Sequence, residues 1–455
     1  MNKMKRLLRS GATLGLVLAA AAGFKVVVAQ TATAKTPAAN VPAAKPHEVE
    51  VPLFEVDPGF FKLPNGWHFA SVSDVSCDSH DNVWVFQRPD DIYTDWKTGP
   101  AVMQFDPKGN YIQGWGGKDY GEGKGFKWPL QEHGISIDNQ DHVWLNGSWD
   151  NDQVYEFTTD GKFIKQFGNS EGGYKKTNAD TKNFWMPTTT IVYPKTNELF
   201  VADGYGNTRI IVLDATTGAF HRMWGAFGNA PVDLVPKPLE ELEKMVWGEP
   251  QPVISVGHEL FQQPYYMNGG TKLPEGMEGA PNKKEPIFDP TDGPPQFFIV
   301  HAMAISNDGL VYVADRRTER VQIFTTEGKF VKSVWIDHWC SQGCGGGFQK
   351  QTATGLAFSG DPQQRFLYVG SRTPSQIWVY DRKTMEPLYA FGQRGTAPGE
   401  FLAVHMIGSD SKGNVYTADL GARRPQKFVY MGTAKRWVDG EGNMIDPKTG
   451  FVLVR

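Results

Sequence analysis

The chain has 455 residues and a formal net charge of −4, from 46 Lys and Arg against 50 Asp and Glu. No basic stretch follows the N-terminal segment, which excludes nucleic acid as a partner, since phosphate binding needs clustered Lys and Arg. Hydrophobic residues make up 40%, enough for a core, and 50 Gly, 30 Pro and 13% aromatics favour many short strands and tight turns.

In chain order, the first element is a targeting segment. MNKMKRLLRS supplies positive charge, and GATLGLVLAAAAGF is an apolar run of signal-peptide length, short for a membrane span. Small-residue cleavage sites follow at Val27-Val28-Ala29 or Ala32-Thr33-Ala34, so residues 1–34 are expected to be a signal peptide. There is no twin-Arg pair and no lipobox cysteine. Residues 35–50 continue an Ala/Pro/Thr-rich tract and read as a flexible linker. The expectation is an exported protein, periplasmic or secreted, with no membrane attachment after cleavage and monomeric.

Residues 51–455 are then expected to form a six-bladed β-propeller of NHL type, an all-β fold. Six segments share one pattern of four short apolar strands at a period of about 40 residues, the signature of propeller blades. Their openings are SDVSCDSHDNVWVFQR from Ser73, HGISIDNQDHVWLNGS from His133 and TTTIVYPKTNELFVAD from Thr188. HAMAISNDGLVYVADRR from His301, TGLAFSGDPQQRFLYVGSR from Thr354 and HMIGSDSKGNVYTAD from His405 follow. Asp-Gly at 160–161 and 308–309, and Lys-Gly at 108–109 and 412–413, sit where hairpins need turns. Ring closure is expected to pair strands from the two ends of the chain.

A blade's first strand lines the central channel, and His opens it in the second, fourth and sixth segments. His133, His301 and His405 each lie ten residues before the first Val of strand two, while the other segments carry Ser73, Thr188 or Thr189, and Thr354. Alternate blades of a six-fold ring stand about 120° apart, so three imidazoles at one height converge on the axis. A three-nitrogen site with an open position suits Zn²⁺. The alternative is three separate channel-lining histidines with hydrogen-bond duties. The end of strand two lies on the same face. There stand Arg88, Ser148, Arg316, Arg372 and Leu420, and, allowing one inserted residue, Tyr205. Beside a metal, a fixed guanidinium at Arg88 or Arg316 can grip a carboxylate, and the phenol of Tyr205 can act as a general base. Arg372 reads as one half of a structural ion pair.

Long insertions emerge on that face. Residues 229–295, with the helical-looking PLEELEKMVWG, join blades three and four; a loop holding Cys340 and Cys344 joins blades four and five; RPDDIYTDWKTGP follows strand two of blade one. Together they are expected to form a lid over a small organic substrate. The glycines of CSQGCGGG allow a Cys340–Cys344 disulfide, Cys77 reads as a buried thiol, and three cysteines do not make a zinc site.

VADGYGNTRI around Tyr205, VHAMAISNDGLVYVADRRTERVQIF around His301 and Arg316, and EHGISID and VHMIGSDSKGNVYTAD around the other histidines resemble motifs of the peptidyl-α-hydroxyglycine α-amidating lyases. The resemblance covers most of residues 70–430. It implies a six-bladed propeller that splits a carbinolamide into an amide and glyoxylate. It further implies zinc ligands at His133, His301 and His405, a catalytic tyrosine at Tyr205, and arginines at Arg88 and Arg316 for the substrate carboxylate and developing charge. The family has an Asp after the third His that helps hold a structural calcium; Met406 stands there in this chain, so Ca²⁺ does not carry over with the zinc. The expected partner is a small-molecule or peptide-derived substrate. The rival reading is a non-enzymatic NHL propeller that binds a peptide, glycan or protein on its top face. A calcium-dependent lactonase-type hydrolase would want Glu, Asp or Asn on the axis, where this chain has His, Ser and Thr.

Overall fold

The second strand of a repeat has an apolar centre with polar residues at its ends, and it is buried: VWVFQR of Val83–Arg88, ELFVAD of Glu198–Asp203 and FLYVGS of Phe366–Ser371 have no exposed residue. A strand covered on both faces lies inside a stack of sheets. The outermost strands are only partly covered, as in Tyr111–Trp115 and Phe330–Trp335, which each carry exposed residues. The first hairpin of a repeat is shaped by an aspartate. Asp78 accepts the backbone N–H groups of His80 and Asn82, the Asn82 amide and the Trp84 indole N–H. Asp410 does the same with Lys412, Asn414 and Tyr416 in the last repeat. The side chain thus closes the turn before the ladder begins.

The structure is a computed structural model that describes residues 45–89, 96–148, 152–169, 177–233, 296–337, 352–448 and 452–454. The expected signal peptide, most of the linker, the insertion from residue 234 to 295 with its helix, and Cys340 and Cys344 lie outside these residues. Among the described residues there are five four-stranded antiparallel sheets, each in simple sequence order, and a sixth sheet that contains strands from both ends of the chain. Their inner strands touch in a closed cycle. Ser71–Cys77 meets Gln131–Ile137, then Pro187–Tyr193, Val300–Ile305, Leu356–Phe358 and Val404–Ser409, which meets Ser71–Cys77 again. The fold is a six-bladed β-propeller, as the repeats predicted.

Closure is now defined. His47–Asp57 pairs antiparallel with Arg424–Val438, from His47 opposite Val438 to Asp57 opposite Lys427, and so supplies an outer strand to the sixth blade. Val51 is fully buried within the apolar cluster that also holds Tyr368, Phe401 and Phe428. Two short strands, Met444–Ile445 and Val452–Val454, extend the same sheet. Apolar clusters fill the spaces between neighbouring blades, for example Trp84, Phe86, Val143 and Leu145 between the first and second.

Candidate metal centre

Each histidine sits at a break in its ladder. The register of the first hairpin shifts between Glu132 and Gly134, between Val300 and Ala302, and between Val404 and Ile407. The same shift spans Ser73 and Thr188 in the first and third blades. A β-bulge frees the residue from strand pairing and re-aims its side chain. It also frees the carbonyls of Ser73 and Thr188, and these carbonyls, together with that of Thr354, hold the histidines. Nδ1 of His133 donates to Thr188 O at 2.9 Å, Nδ1 of His301 to Thr354 O at 2.6 Å, and Nδ1 of His405 to Ser73 O at 2.5 Å. Odd blades therefore orient the imidazoles of even blades all round the ring. The choice between Thr188 and Thr189 falls on Thr188.

Gly134 shows how tight this arrangement is. A Cβ there would lie 2.5 Å from Thr188 O, the very carbonyl that orients His133.

With Nδ1 protonated and committed, each neutral ring presents an Nε2 lone pair. The three rings pack edge to face, with centroids 5.1 Å apart for His133–His301 and 4.7 Å for each ring against His405. All three are essentially inaccessible, at 0–1% exposure, and their ligand atoms lie within 4.8 Å of one another. His301 Nε2 is buried with no hydrogen-bond partner. Burial first, then Arg316 and the other two imidazoles, holds His301 well below the ordinary histidine value; burial, His133 and Arg88 do the same for His405. His301 and His405 are thus held neutral, His301 with an orphaned Nε2, and the three converging imidazoles are a donor set that fits a zinc ion.

The strand-two ends stand over this triad. Tyr205 Oη is 3.3 Å from His133 Nε2 and accepts from Arg316 Nη1 at 3.2 Å. Its ring packs against His133 and His301, with the Arg316 guanidinium 5.2 Å from the ring centre. Arg316 is 2% exposed and its Nε is buried without a partner. Arg88 reaches across from the first blade and donates Nε–H to Glu132 O at 2.8 Å, next to His133. Gly204 is what lets Tyr205 in: a Cβ at residue 204 would fall 1.9 Å from Val300 O, on the strand that carries His301.

Two buried ion pairs brace these loops, and their function was not foreseen from the sequence. Asp203 pairs with Arg209 at 2.9 Å and Asp315 with Arg320 at 3.0 Å, every partner fully buried. Arg209 also donates to the carbonyls of Asn178, Asp180 and Asn183, and Arg320 to that of Gln296. The recurring Ala-Asp and downstream Arg of the two repeats was the available signal.

Met406 is 3% exposed and belongs to an apolar cluster with Val75 and Tyr416. Asp74, at the matching position of the first blade, spends its two oxygens on the N–H groups of Val75 and Ile135. The residues present do not fit the family's carboxylate arrangement for calcium. A second group, Asp138, His142 and Glu156, lies away from the histidines; His142 pairs with Glu156 at 2.6 Å and Lys165 with Glu156 at 3.0 Å, so its charges are mutually committed.

No protein-family model matches the chain. Among curated proteins, 194 residues are 28% identical to the peptidylglycine alpha-amidating monooxygenase of Rattus norvegicus, over 38% of this chain and 18% of that protein. A stretch of 195 residues is 27% identical to peptidyl-alpha-hydroxyglycine alpha-amidating lyase 1 of Drosophila melanogaster, over 38% of this chain and 33% of that one. A further match, 28% over 142 residues, is to NHL repeat-containing protein 3 of Homo sapiens, over 30% of this chain and 37% of that one. This chain thus spans well under half the length of the curated relatives it matches. Among solved structures, a streptogramin B lyase aligns over 84% of this chain and 98% of its own, with a TM-score of 0.41 and 12% identity. By fold and by sequence likeness, the chain is a propeller whose distant relatives include amidating lyases and NHL-repeat proteins.

Proposed function

We propose that the protein is a zinc-dependent lyase that cleaves a carbinolamide-type C–N bond, releasing an amide and glyoxylate or a closely related pair. The observation that carries this reading is one phenol, Tyr205, in hydrogen-bond contact with both a triad imidazole and a buried guanidinium. Nε2 of His133, His301 and His405 would hold the zinc, which when bound supplies a Lewis acid for the substrate's hydroxyl oxygen.

The chain's own groups do the rest. Tyr205 takes the hydroxyl proton, helped by the Arg316 N–H that stabilises charge on the phenolic oxygen. As the electron pair of the O–H bond becomes the new C=O, the C–N bond breaks, and the proton passes to the departing amide nitrogen. Arg88, fixed by its bond to Glu132 O, and Arg316 hold the substrate carboxylate and the developing negative charge. Burial of the triad keeps bulk water away from the reacting atoms. On this reading the protein works outside the cytoplasm after loss of residues 1–34.

Metal analysis with a glyoxylate-release assay on an N-acyl-α-hydroxyglycine tests the proposal. Stoichiometric zinc and glyoxylate release are expected, with release falling by about 10³-fold or more in Tyr205→Phe while zinc content stays unchanged. Zinc without glyoxylate keeps the site and discards the substrate. Absence of zinc favours a binding module.

A further inference from the structure

The sixth blade departs from the brace that holds the third and fourth. Backbone pairing sets Asp203 opposite Arg209, Asp315 opposite Arg320 and Asp419 opposite Arg424. The first two couples are fully buried ion pairs. The third couple makes no such pair. Asp419 spends its oxygens on the N–H groups of Leu402, Ala403, Gly421 and Ala422. Arg424 instead donates from Nη2 to the carbonyls of Ala397 and Glu400, and its Nε is buried without a partner. The Glu400 carboxylate, which responds to that charge, is engaged by the Gln393 amide and the Ala397 N–H. An arginine that is a structural brace in two blades is thus released from its acid in the third.

Arg424 borders a cleft of about 300 Å³ whose walls also include Arg423, Trp67, His68, Phe69 and Trp96. Trp96 is 52% exposed, and its ring lies 4.9 Å from that of His68 at a tilt of 31°, so a flat indole face is open to a ligand. The Arg423 side chain makes no hydrogen bond or ion pair among the described residues. Asp57, the one carboxylate in the lining, accepts the N–H of Gly59 at 3.1 Å. The cleft lies close to the metal centre without being part of it. Val404, next to His405, faces Asp419, and Asp419 faces Arg424. At about 4.8 Å per strand, the Arg424 backbone stands about 10 Å from the strand that carries His405.

We propose that this cleft is a second binding site, for a small aromatic carboxylate whose charge is held by Arg424 and Arg423 and whose ring stacks on Trp96. A guanidinium without an acid partner gains most from a carboxylate, through charge-assisted hydrogen bonds. An open indole face gains from a planar ring in offset contact. Two arginines against one engaged aspartate favour an anion over a neutral aromatic. The cleft volume is at the lower end for small-molecule sites, which suits a single ring with its acid group. Neither the zinc nor the lyase reaction enters this inference.

Calorimetry with phenylacetate, neutral phenylacetamide and ringless acetate tests it. The wild type is expected to bind phenylacetate at least about tenfold more tightly than either of the others. Arg424→Gln should bring phenylacetate level with phenylacetamide, and Trp96→Ala should bring it to within about threefold of acetate. Arg316→Gln, at the metal centre, should leave phenylacetate binding unchanged. Equal affinities for the three compounds in the wild type would overturn the proposal, as would an unchanged phenylacetate affinity in Arg424→Gln or Trp96→Ala. Loss of binding in Arg316→Gln with retention in Arg424→Gln would also overturn it, by moving the ligand to the metal centre. Trp96 is half-exposed, so its variant decides the matter even if Arg424→Gln fails to fold. Because the measurement needs no turnover, its outcome is independent of the glyoxylate assay.

Discussion

His133, His301 and His405 owe their character to where their protons sit. Each Nδ1–H is spent on a carbonyl of the next blade, so Nε2 is an acceptor, and burial keeps His301 and His405 neutral far below the ordinary histidine range. The unfolded chain takes up protons at these residues below their ordinary value of 6.5, and the metal-free folded chain does not. Stability is thus unaffected by them above that pH and falls below it, by about 1.4 kcal/mol per pH unit for each group, or about 2.7 for the pair. Asp74 works in the opposite sense. Burial pushes its carboxyl up to about 8, so from the ordinary 3.8 upwards the folded state retains a proton that the unfolded chain loses. That offsets about 1.4 kcal/mol per unit. Urea titration of chelator-treated protein between pH 6.5 and 5 should show a net loss of stability as pH falls, the two imidazoles outweighing the raised carboxyl of Asp74 and the raised, Arg209-paired carboxyl of Asp203. A flat or rising stability would contradict the assignment of neutral imidazoles.

At the scale of the element, the two repeats VADGYGNTRI and VADRRTERVQ divide their labour within a few residues. The Asp and the downstream Arg form a buried pair that fixes the loop, and the residues between them stand against the histidines, with Arg316 Nη1 donating to Tyr205 Oη. Arg209 ties Asp203 to the carbonyls of Asn178, Asp180 and Asn183, so its loss leaves a carboxylate buried without its cation. Arg209→Met is expected to destabilise the protein by about 3–5 kcal/mol, measured by urea unfolding. It should also lower turnover through the Tyr205 loop while zinc content is retained. A change below about 1 kcal/mol would show that the pair is not what braces the loop.

The six described blades form a ring, and its closure involves residues 47–57. Without them, Arg424–Val438 becomes an unpaired edge, and the aromatic contacts of Phe54 with Tyr368, Phe391 and Tyr430 are lost. Exposed edges and apolar faces aggregate. A chain that begins after Asp57 is expected to be insoluble or to melt at least about 10 °C lower than one that begins at residue 45. Equal melting temperatures would mean that the sixth blade closes on its own. Closure also matters to the site, because the His405 Nδ1 bond to Ser73 O joins the last blade to the first.

The repeat period, the register of His133, His301 and His405, and the positions of Tyr205, Arg88 and Arg316 were all legible in the sequence, because a blade is a local unit whose turns and apolar alternation are written in its own residues. Three things were not. The bulges at the histidine positions, the Ser73, Thr188 and Thr354 carbonyls that orient the rings, and the closing strand all join blades far apart in the chain. Backbone carbonyls have no residue identity to read, and a pairing between residues 47 and 438 leaves no local pattern. Local chemistry is set by sequence, while the convergence of six blades on one axis is a property of the closed ring alone.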